Sequence, residues 1–553
     1  MEASKHFKDP LYGYIEISNY LMSNIVDTPE FQRLRRITQT SYAPVFSSAV
    51  HNRFVHSIGV FHLGSILMNH ICEEKSIQTF AKDIGVSLDD CKRIFLLACL
   101  LHDVGHAPFS HTGENLYLDS GNKRTTLHNL LTEAVGTDKI VPEEESQAAA
   151  AHEIMSAVVG IQSFSIQFKN NKEKELFARC ITGYQYSDSI GKESSFLNCF
   201  ISFLNSKMID VDKLDYLIRD AFITGFSSVN IDYHRLLNSM TIIETENKKG
   251  DNYFSVAYKK SAISVIESVI FAHDAERKWI QNHPVILYDS YLLSQFMKDL
   301  KNRFLVQGVE LFSKEALSAE GIKLPETVVD RSLPGRIRLL SDDDIIFMMK
   351  NMSQGNYADE YFGRNCRMHP VWKSEAEYNT IVGGSVGKNS QAIKDLMSAL
   401  SDTVKFIDGN DKYRTIKKEL LDDVKNEIEK LKKNQKMMDK ESYRKNLNEK
   451  NRIFKVLSVI CREATRYDTE FLLLSASTFN SGFAKADFSD IIVLPADNMV
   501  VKYTDAINSM EAKRSQQDSF FYLFYKRILD SKGNLIRFDS ATLIKKLVTK
   551  FIK

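Results

Sequence analysis

A run of eight apolar residues, Ile94 to Leu101, ends on an adjacent imidazole and carboxylate, His102 and Asp103. An unbroken apolar stretch of that length, free of Gly and Pro, predicts a helix buried on every side. Two polar groups at the inner end of such a helix cost several kcal/mol unless something satisfies them. A bound cation would do so. Histidine accounts for 14 of 553 residues, and four of them (His56, His102, His106 and His111) fall in this stretch and one upstream segment. That concentration points to a chemical centre more than to scattered packing.

The upstream segment is Arg53-Phe54-Val55-His56, and a third, Asp210-Val211-Asp212-Lys213-Leu214-Asp215-Tyr216, brings Asp212. Together His56, His102, Asp103 and Asp212 form a His…His-Asp…Asp donor set of imidazole nitrogens and carboxylate oxygens. Such a set suits Fe, Mn, Zn or Ni and, less tightly, Mg. It fits a hydrolytic centre better than a structural zinc, which prefers thiolates. His106 lies one helical turn beyond His102, and His111 follows a Pro-Phe-Ser turn, so both can return to the same cavity. Neutral histidines beside a metal can protonate a leaving oxygen, since their pKa lies near working pH. Asp212, Tyr216 and Asp220 are spaced by four, on one helical face. His62, His70, His128, His234 and His369 have no such company and read as hydrogen-bonded structural residues.

The chain is too long for one core, so at least two packed units are expected. Residues 15 to 300 are mainly helical in pattern. Asp27-Thr28-Pro29 starts a helix, with Asp or Thr as cap and Pro in the first turn. Residues 118–150 read as a mobile insertion, and residues 241–258 as a hairpin. Past about 305, Pro and Gly punctuate shorter elements. Residues 412–457 read as a charged amphipathic helical stretch with Ile416, Leu420, Val424, Ile428 and Leu431 on one stripe. Asp490 to Leu494 and Met499 to Tyr503 read as strands. The expected architecture is mainly α: a helical core over 1–304 and a smaller α+β lobe over 305–553 for regulation or oligomerisation.

A net charge of +1 gives no global attraction to nucleic acid or membrane, so anion binding must be local. The basic end, Lys545 to Lys553, reads as a solvated helix face with weak nucleic-acid contact at most. Seven scattered cysteines without a CxxC pair suit a reducing compartment. No apolar run nears the roughly 18 residues of a membrane span, and the N-terminus lacks a signal-peptide core. The expected location is the cytoplasm. Gly383-Gly384-Ser385-Val386-Gly387-Lys388-Asn389 is not a P-loop: the spacing is one residue short, and Asn stands where Ser or Thr would hold Mg²⁺.

Several segments in order resemble one family: Lys8-Asp9-Pro10-Leu11-Tyr12-Gly13, Asp27 to Arg35, His51-Asn52-Arg53-Phe54-Val55-His56-Ser57, the His102 to His111 segment, and Asp210 to Asp220. They resemble the HD-domain deoxynucleoside triphosphate triphosphohydrolases, in particular the branch typified by the sterile-alpha-motif and HD-domain protein, without a sterile-alpha-motif domain in this sequence. The likeness covers about residues 5–300. It implies an HD-domain helical core that splits a dNTP into deoxynucleoside and tripolyphosphate. By that resemblance His56, His102, Asp103 and Asp212 hold the divalent ion, and Arg53 and Lys213 hold the triphosphate. Tyr216 sits at the sugar-phosphate, and Gln39 and Asp220 at the sugar 3′-hydroxyl. His106, His111, His152 and Glu114 form the catalytic centre, with Glu114 where the family often has Asp. A water attacks the α-phosphorus, and His111 or His152 passes a proton to the 5′-oxygen.

The span from His111 to His152 is longer than in that branch. In the helix after the hairpin, Phe271-Ala272-His273-Asp274-Ala275-Glu276-Arg277-Lys278, no register reproduces all three of the Arg, His and Tyr found there, which leaves sugar discrimination and base preference open. Asp27, Gln32 and Arg35 match positions of a nucleotide effector site that assembles a homo-oligomer of two, four or six chains. Alternatives are another HD phosphohydrolase, acting on a dNMP, a cyclic nucleotide or a guanosine polyphosphate, or a nucleotide-sensing module. Control of nucleotide pools and defence against phage by dNTP depletion both fit the resemblance.

Overall fold

The computed structural model describes residues 4–117, 123–142, 149–187, 191–206, 209–226, 230–246, 250–324, 335–352, 356–374, 376–378, 380–381, 390–408, 415–435, 439–476, 491–496, 499–503, 521–534, 536 and 538–551. Gly383 to Asn389 lie outside them, as do residues 118–122 and 143–148 of the expected insertion. The chain divides into two compact units. One comprises Met1–Ile280, Leu293–Gln354 and Ser481–Ser515; the other comprises Gln281–Leu292, Gly355–Asn480 and Gln516–Lys553. A single cut at 304/305 therefore does not describe the packing. The fold is mainly α, with a larger helical unit and a smaller α+β unit.

In the first unit a hairpin, Ser4–Asp9 against Gly13–Ser18, precedes short turns ending in a tight 3-10 turn, Arg33–Arg36. Thr28 caps no amide there; its hydroxyl donates to the Ile25 carbonyl instead. Asn52 then starts the helix Arg53–Glu73, its side chain accepting the Val55 N–H at 3.3 Å. Helix Leu88–Leu101 is capped by Ser87 and carries the apolar run, with Ile94, Phe95, Cys99, Leu100 and Leu101 buried. It ends at Leu101. His106 is therefore not one helical turn beyond His102, since the chain leaves the helix through a tight turn, Val104 N–H to Leu101 O and His106 N–H to Asp103 O.

Part of the expected mobile insertion is an ordered helix, Lys123–Val135, whose Leu127, Leu131 and Val135 are buried at a spacing of four. Helices Ala151–Ser163, Asn171–Thr182, Lys192–Leu204 and Val211–Thr224 complete the region that carries the candidate residues. Asp210 caps the last of these through the Lys213 N–H at 2.7 Å, and Gly225 closes it at φ +73°. The expected hairpin is present as Met240–Glu246 paired with Asn252–Lys259. Its second strand, Asn252–Lys259, also pairs in parallel with Ile492–Ala496, which pairs antiparallel with Met499–Lys502. The two late strands thus belong to the first unit's sheet.

The second unit packs Trp372, Leu396, Leu400, Leu420, Val424, Leu457, Phe471 and Phe524 into one core. Its three-stranded antiparallel sheet has Phe521–Tyr525 between His369–Pro370 and Phe471–Ser475. The charged stretch 412–457 is not one helix: Lys418–Lys433 and Lys440–Tyr467 are separate, and Leu420, Val424 and Ile428 form the buried stripe.

Candidate functional site

His56 sits one turn into its helix, fully buried, with both ring nitrogens committed. Nδ1 lies 2.7 Å from Asp215 Oδ2, and Nε2 lies 2.9 Å from Asp212 Oδ1. His102, at the end of the apolar helix, places Nδ1 2.9 Å from the Cys99 carbonyl and Nε2 3.2 Å from His56 Nε2. Asp103 Oδ2 lies 3.7 Å from His56 Nε2 and 3.5 Å from His102 Nε2, and Asp212 Oδ1 is 3.6 Å from His102 Nε2. Each histidine's Nδ1 faces an acceptor, a carboxylate or a carbonyl, so each carries its proton there. Two Nε2 lone pairs and two carboxylate oxygens then converge on one small volume. Such an arrangement repels itself unless a cation stands among them. His56, His102 and Asp103 can hold a metal ion, and Asp212 lies at ligand distance from both imidazoles.

The electrostatics agree. Burial opposes charge on His56, yet Asp212, Asp215 and Asp103 outweigh it and raise the pKa to about 10, so the site calls for positive charge. Burial likewise resists the Asp103 carboxylate, but Arg53, His102 and His106 hold its pKa well below the usual range.

Asp215 is the residue that sequence reasoning left without a role. Beyond His56 it accepts the Tyr12 hydroxyl at 2.8 Å and two N–H groups of Arg219 at 2.9 Å; Arg219 also pairs with Asp9. A carboxylate behind a ligating imidazole fixes its tautomer and direction. Its position three residues after Asp212 was the available signal. Gly59 permits this contact, because a Cβ there would lie 2.0 Å from Asp215 Oδ1. Gly59→Ala is expected to push Asp215 off His56, lowering metal affinity about 10- to 100-fold and stability by about 1–3 kcal/mol. Metal titration and thermal melting of the purified variant check this, and wild-type values in both would contradict it.

A second cluster adjoins the first. His106 and His152 stack with centroids 4.0 Å apart and planes at 17°, and His111 meets both edge-on at 5.3 and 5.1 Å. Glu114 clamps two of them, Oε1 lying 2.9 Å from His152 Nδ1 and Oε2 3.0 Å from His111 Nδ1. The three imidazoles are close enough together to share an ion. However, a metal bonds in the plane of an imidazole, and two nearly parallel rings have no common in-plane point. The cluster suits proton transfer better. Burial, then Arg53 and His152, keep His106 neutral, its pKa well below the usual value. Burial also disfavours charge on His152, but Glu114 prevails and raises its pKa to about 9.

Arg53 joins the clusters: Nη1 donates to Asp103 Oδ2 and Nε to Ser110 Oγ, both at 2.7 Å. Lys213 Nζ donates to Asp210 Oδ2 at 2.6 Å and to Ser206 O at 2.8 Å. Both cations have more N–H donors than these bonds use. His51, another residue without an assigned role, ties the two sugar-site candidates together. Its carbonyl accepts the Gln39 N–H at 3.0 Å, and its Nε2 lies 2.7 Å from Asp220 Oδ1. Gln39 Oε1 is buried with no hydrogen-bond partner among the described residues. Tyr216 shares the Asp212 helix, half-buried.

Phe109 and Ser110, just before His111, both have positive φ, 57° and 54°. For non-glycine residues this costs about 1–3 kcal/mol each and persists where surroundings dictate it. Asp27, Gln32 and Arg35 lie in the short turns that precede helix Arg53–Glu73. Arg35 donates to Gln32 Oε1 at 2.9 Å and stacks over the Phe54 ring, while Asp27 is exposed and 3.5 Å from Lys5 Nζ. The histidines expected to be structural make ordinary contacts where their partners are described, such as His70 with the Met240 carbonyl and His128 with Tyr184.

Residues 53–181 match the profile of the family described as HD domain. This stretch is an HD domain. It opens at the first residue of the His56 helix and takes in His102, Asp103, both members of the His106–His152 stack, His111 and Glu114, whereas Asp212 follows it. The chain is similar to deoxynucleoside triphosphate triphosphohydrolase SAMHD1 of Danio rerio, 31% identical over 252 residues, 45% of this chain and 38% of that protein. The Homo sapiens protein of that name is 31% identical over 261 residues, with the same two shares. Uncharacterized protein YwfO of Bacillus subtilis (strain 168) is 26% identical over 305 residues, 54% of this chain and 57% of that one. The matches thus span between 38% and 57% of these relatives' length. Two solved structures share the fold at TM-score 0.52 and 18% identity, each covering 95% of this chain. One is a hypothetical protein from Aquifex aeolicus (96% of that chain) and the other a phosphohydrolase from Bacteroides thetaiotaomicron VPI-5482 (100%). Among the described residues no helix is long and apolar enough to cross a membrane.

Proposed function

We propose that this HD-domain protein is a metal-dependent dNTP triphosphohydrolase, releasing deoxynucleoside and tripolyphosphate. The observation that carries the reading is the convergence of His56, His102, Asp103 and Asp212 on one volume, with Arg53 on one side and the His106–His111–His152 cluster adjoining. Similarity to proteins named for that activity supports the substrate class. His56, His102, Asp103 and Asp212 would hold a divalent ion, one of Fe, Mn, Mg, Zn or Ni, which would supply Lewis-acid charge at the phosphates.

The protein's own groups do the rest. Arg53 and Lys213 bind the triphosphate with their spare donors. Gln39 and Asp220, aligned by His51, take the sugar 3′-hydroxyl, and Tyr216 lies against the sugar-phosphate. A water adds to the α-phosphorus while the 5′-oxygen leaves, taking a proton from His152, which Glu114 keeps charged at neutral pH. His106, neutral, and His111 line the path. An effector nucleotide at Asp27, Gln32 and Arg35, and a homo-oligomer, belong to the same proposal.

Glu114→Gln removes the counter-ion of His152, so the alkaline limb of kcat is expected to move to lower pH. The stability difference between the two proteins follows the same groups. His152, raised from 6.5 to about 9, contributes fully below 6.5 and nothing above about 9. Glu114, held well below 4.5, contributes fully above that value and loses its part as pH falls toward its folded pKa. The difference in melting temperature should therefore be largest between about pH 4.5 and 6.5 and shrink toward pH 9. A pH–rate limb that stays in place would contradict the role given to His152.

The proposal is tested by incubating the protein with each dNTP, singly and mixed, in Mg²⁺ or Mn²⁺ and separating products by ion exchange. Deoxynucleoside with intact tripolyphosphate supports it, and turnover only in mixtures marks an effector. Orthophosphate or diphosphate would move the assignment to another phosphohydrolase, and metal binding without turnover would favour a nucleotide sensor.

A further inference from the structure

The loop from His102 to His111 does not hold its shape alone. Asp342, at the start of helix Asp342–Met352 and buried, accepts three hydrogen bonds from two distant segments. Oδ2 takes the Thr38 N–H at 2.8 Å and the Thr38 hydroxyl at 2.6 Å, and Oδ1 takes the Phe109 N–H at 2.6 Å. Arg33, also buried, ties the same places from the other side. Its Nε donates to Leu340 O at 2.7 Å, its Nη1 to Val104 O at 3.3 Å, and its Nη2 to His106 O. The two segments also meet directly, since the Ser110 hydroxyl donates to Thr38 O and accepts from Arg53 Nε.

We infer that Asp342, together with Arg33, is a positioning residue that fixes Gln39, Arg53 and His111 relative to one another through Thr38 and the strained Phe109-Ser110 pair. The structural part stands on the bonds above; the catalytic part rests on the function proposed for this HD domain. Thr38 precedes Gln39, and Phe109 and Ser110 lead directly into His111. One carboxylate therefore sets both the sugar end and the proton-transfer end of the site. Phe109, at φ 57°, donates its N–H to Asp342, so the strained pair is tied to that carboxylate. A neutral amide at position 342 keeps the size of the side chain but offers a donor where one of these donors now points.

Asp342→Asn in the full chain tests this through two separate readouts. Amide hydrogen exchange in residues 104–112 should quicken by at least about tenfold, while helix Leu88–Leu101 and metal content stay as in the wild type. With dNTP, kcat should fall by about 10²-fold, more than KM rises, as expected for misplaced groups in a folded protein. Thr38→Val removes one of the three bonds and should shift both readouts in the same direction by less. It decides the matter if the first variant does not fold. Unchanged exchange in residues 104–112 would overturn the inference, and so would quickened exchange with kcat within twofold of wild type. Should the wild type turn over no dNTP, the proposed function fails while the exchange result still decides whether Asp342 holds the loop.

Discussion

Asp212→Ala is expected to leave a folded chain that no longer retains a stoichiometric ion. Changing a residue that merely supports a ligand lowers metal affinity by about 10- to 100-fold, and losing a donor should exceed that range. The fold should survive because the Asp212 side chain is 36% exposed, unlike the buried Asp103 and Asp215, whose removal would strand Arg53 or Arg219. Without Asp212, His56 and His102 point two lone pairs at a volume with only one carboxylate left. Metal analysis after dialysis, with circular dichroism as control, reads the result. Wild-type metal content in the variant would remove Asp212 from the donor set.

His152→Ala should do the reverse, keeping the ion and losing the chemistry. A positioned acid contributes about 10²- to 10⁴-fold to rate, and the loss in kcat should fall in that range. The case for His152 is geometric first. Its ring stacks on His106, which in turn lies 3.3 Å from Asp103, and Glu114 fixes its Nδ1 side. It sits on a helix that begins one residue earlier, at Ala151, beyond a long segment from His111. The structure closes that gap in space, to 5.1 Å between ring centroids. His111→Ala, made in parallel, separates the two candidates: the true proton donor loses its alkaline limb as well as rate. A loss below tenfold for His152→Ala, with metal retained, would return the role to His111.

Much of this was readable from local pattern. The apolar run before His102 and the four-residue spacing of Asp212, Tyr216 and Asp220 are consequences of helix geometry, which a sequence displays directly. The insertion offered the same signal in Leu127, Leu131 and Val135, but its polar composition masked it. What the sequence hid were partnerships across long separations. Asp342 meets Phe109 233 residues away and Thr38 304 away, and the first of three consecutive Asp residues at a helix start reads as surface charge. The strand Ile492–Ala496 was legible as a strand from its β-branched run. Its parallel pairing with Asn252–Lys259 was not, because a parallel partner leaves no turn between the two to mark it. Asp215 lay within a segment already singled out, yet only the contact with His56 reveals its part.

The central claim is that this HD domain directs water to the α-phosphorus of a dNTP. Hydrolysis in oxygen-18 water, with products separated and weighed by mass spectrometry, tests it most directly. The account predicts one labelled oxygen in intact tripolyphosphate and an unlabelled deoxynucleoside. Label in orthophosphate or diphosphate, or in the 5′-hydroxyl of the nucleoside, would contradict it.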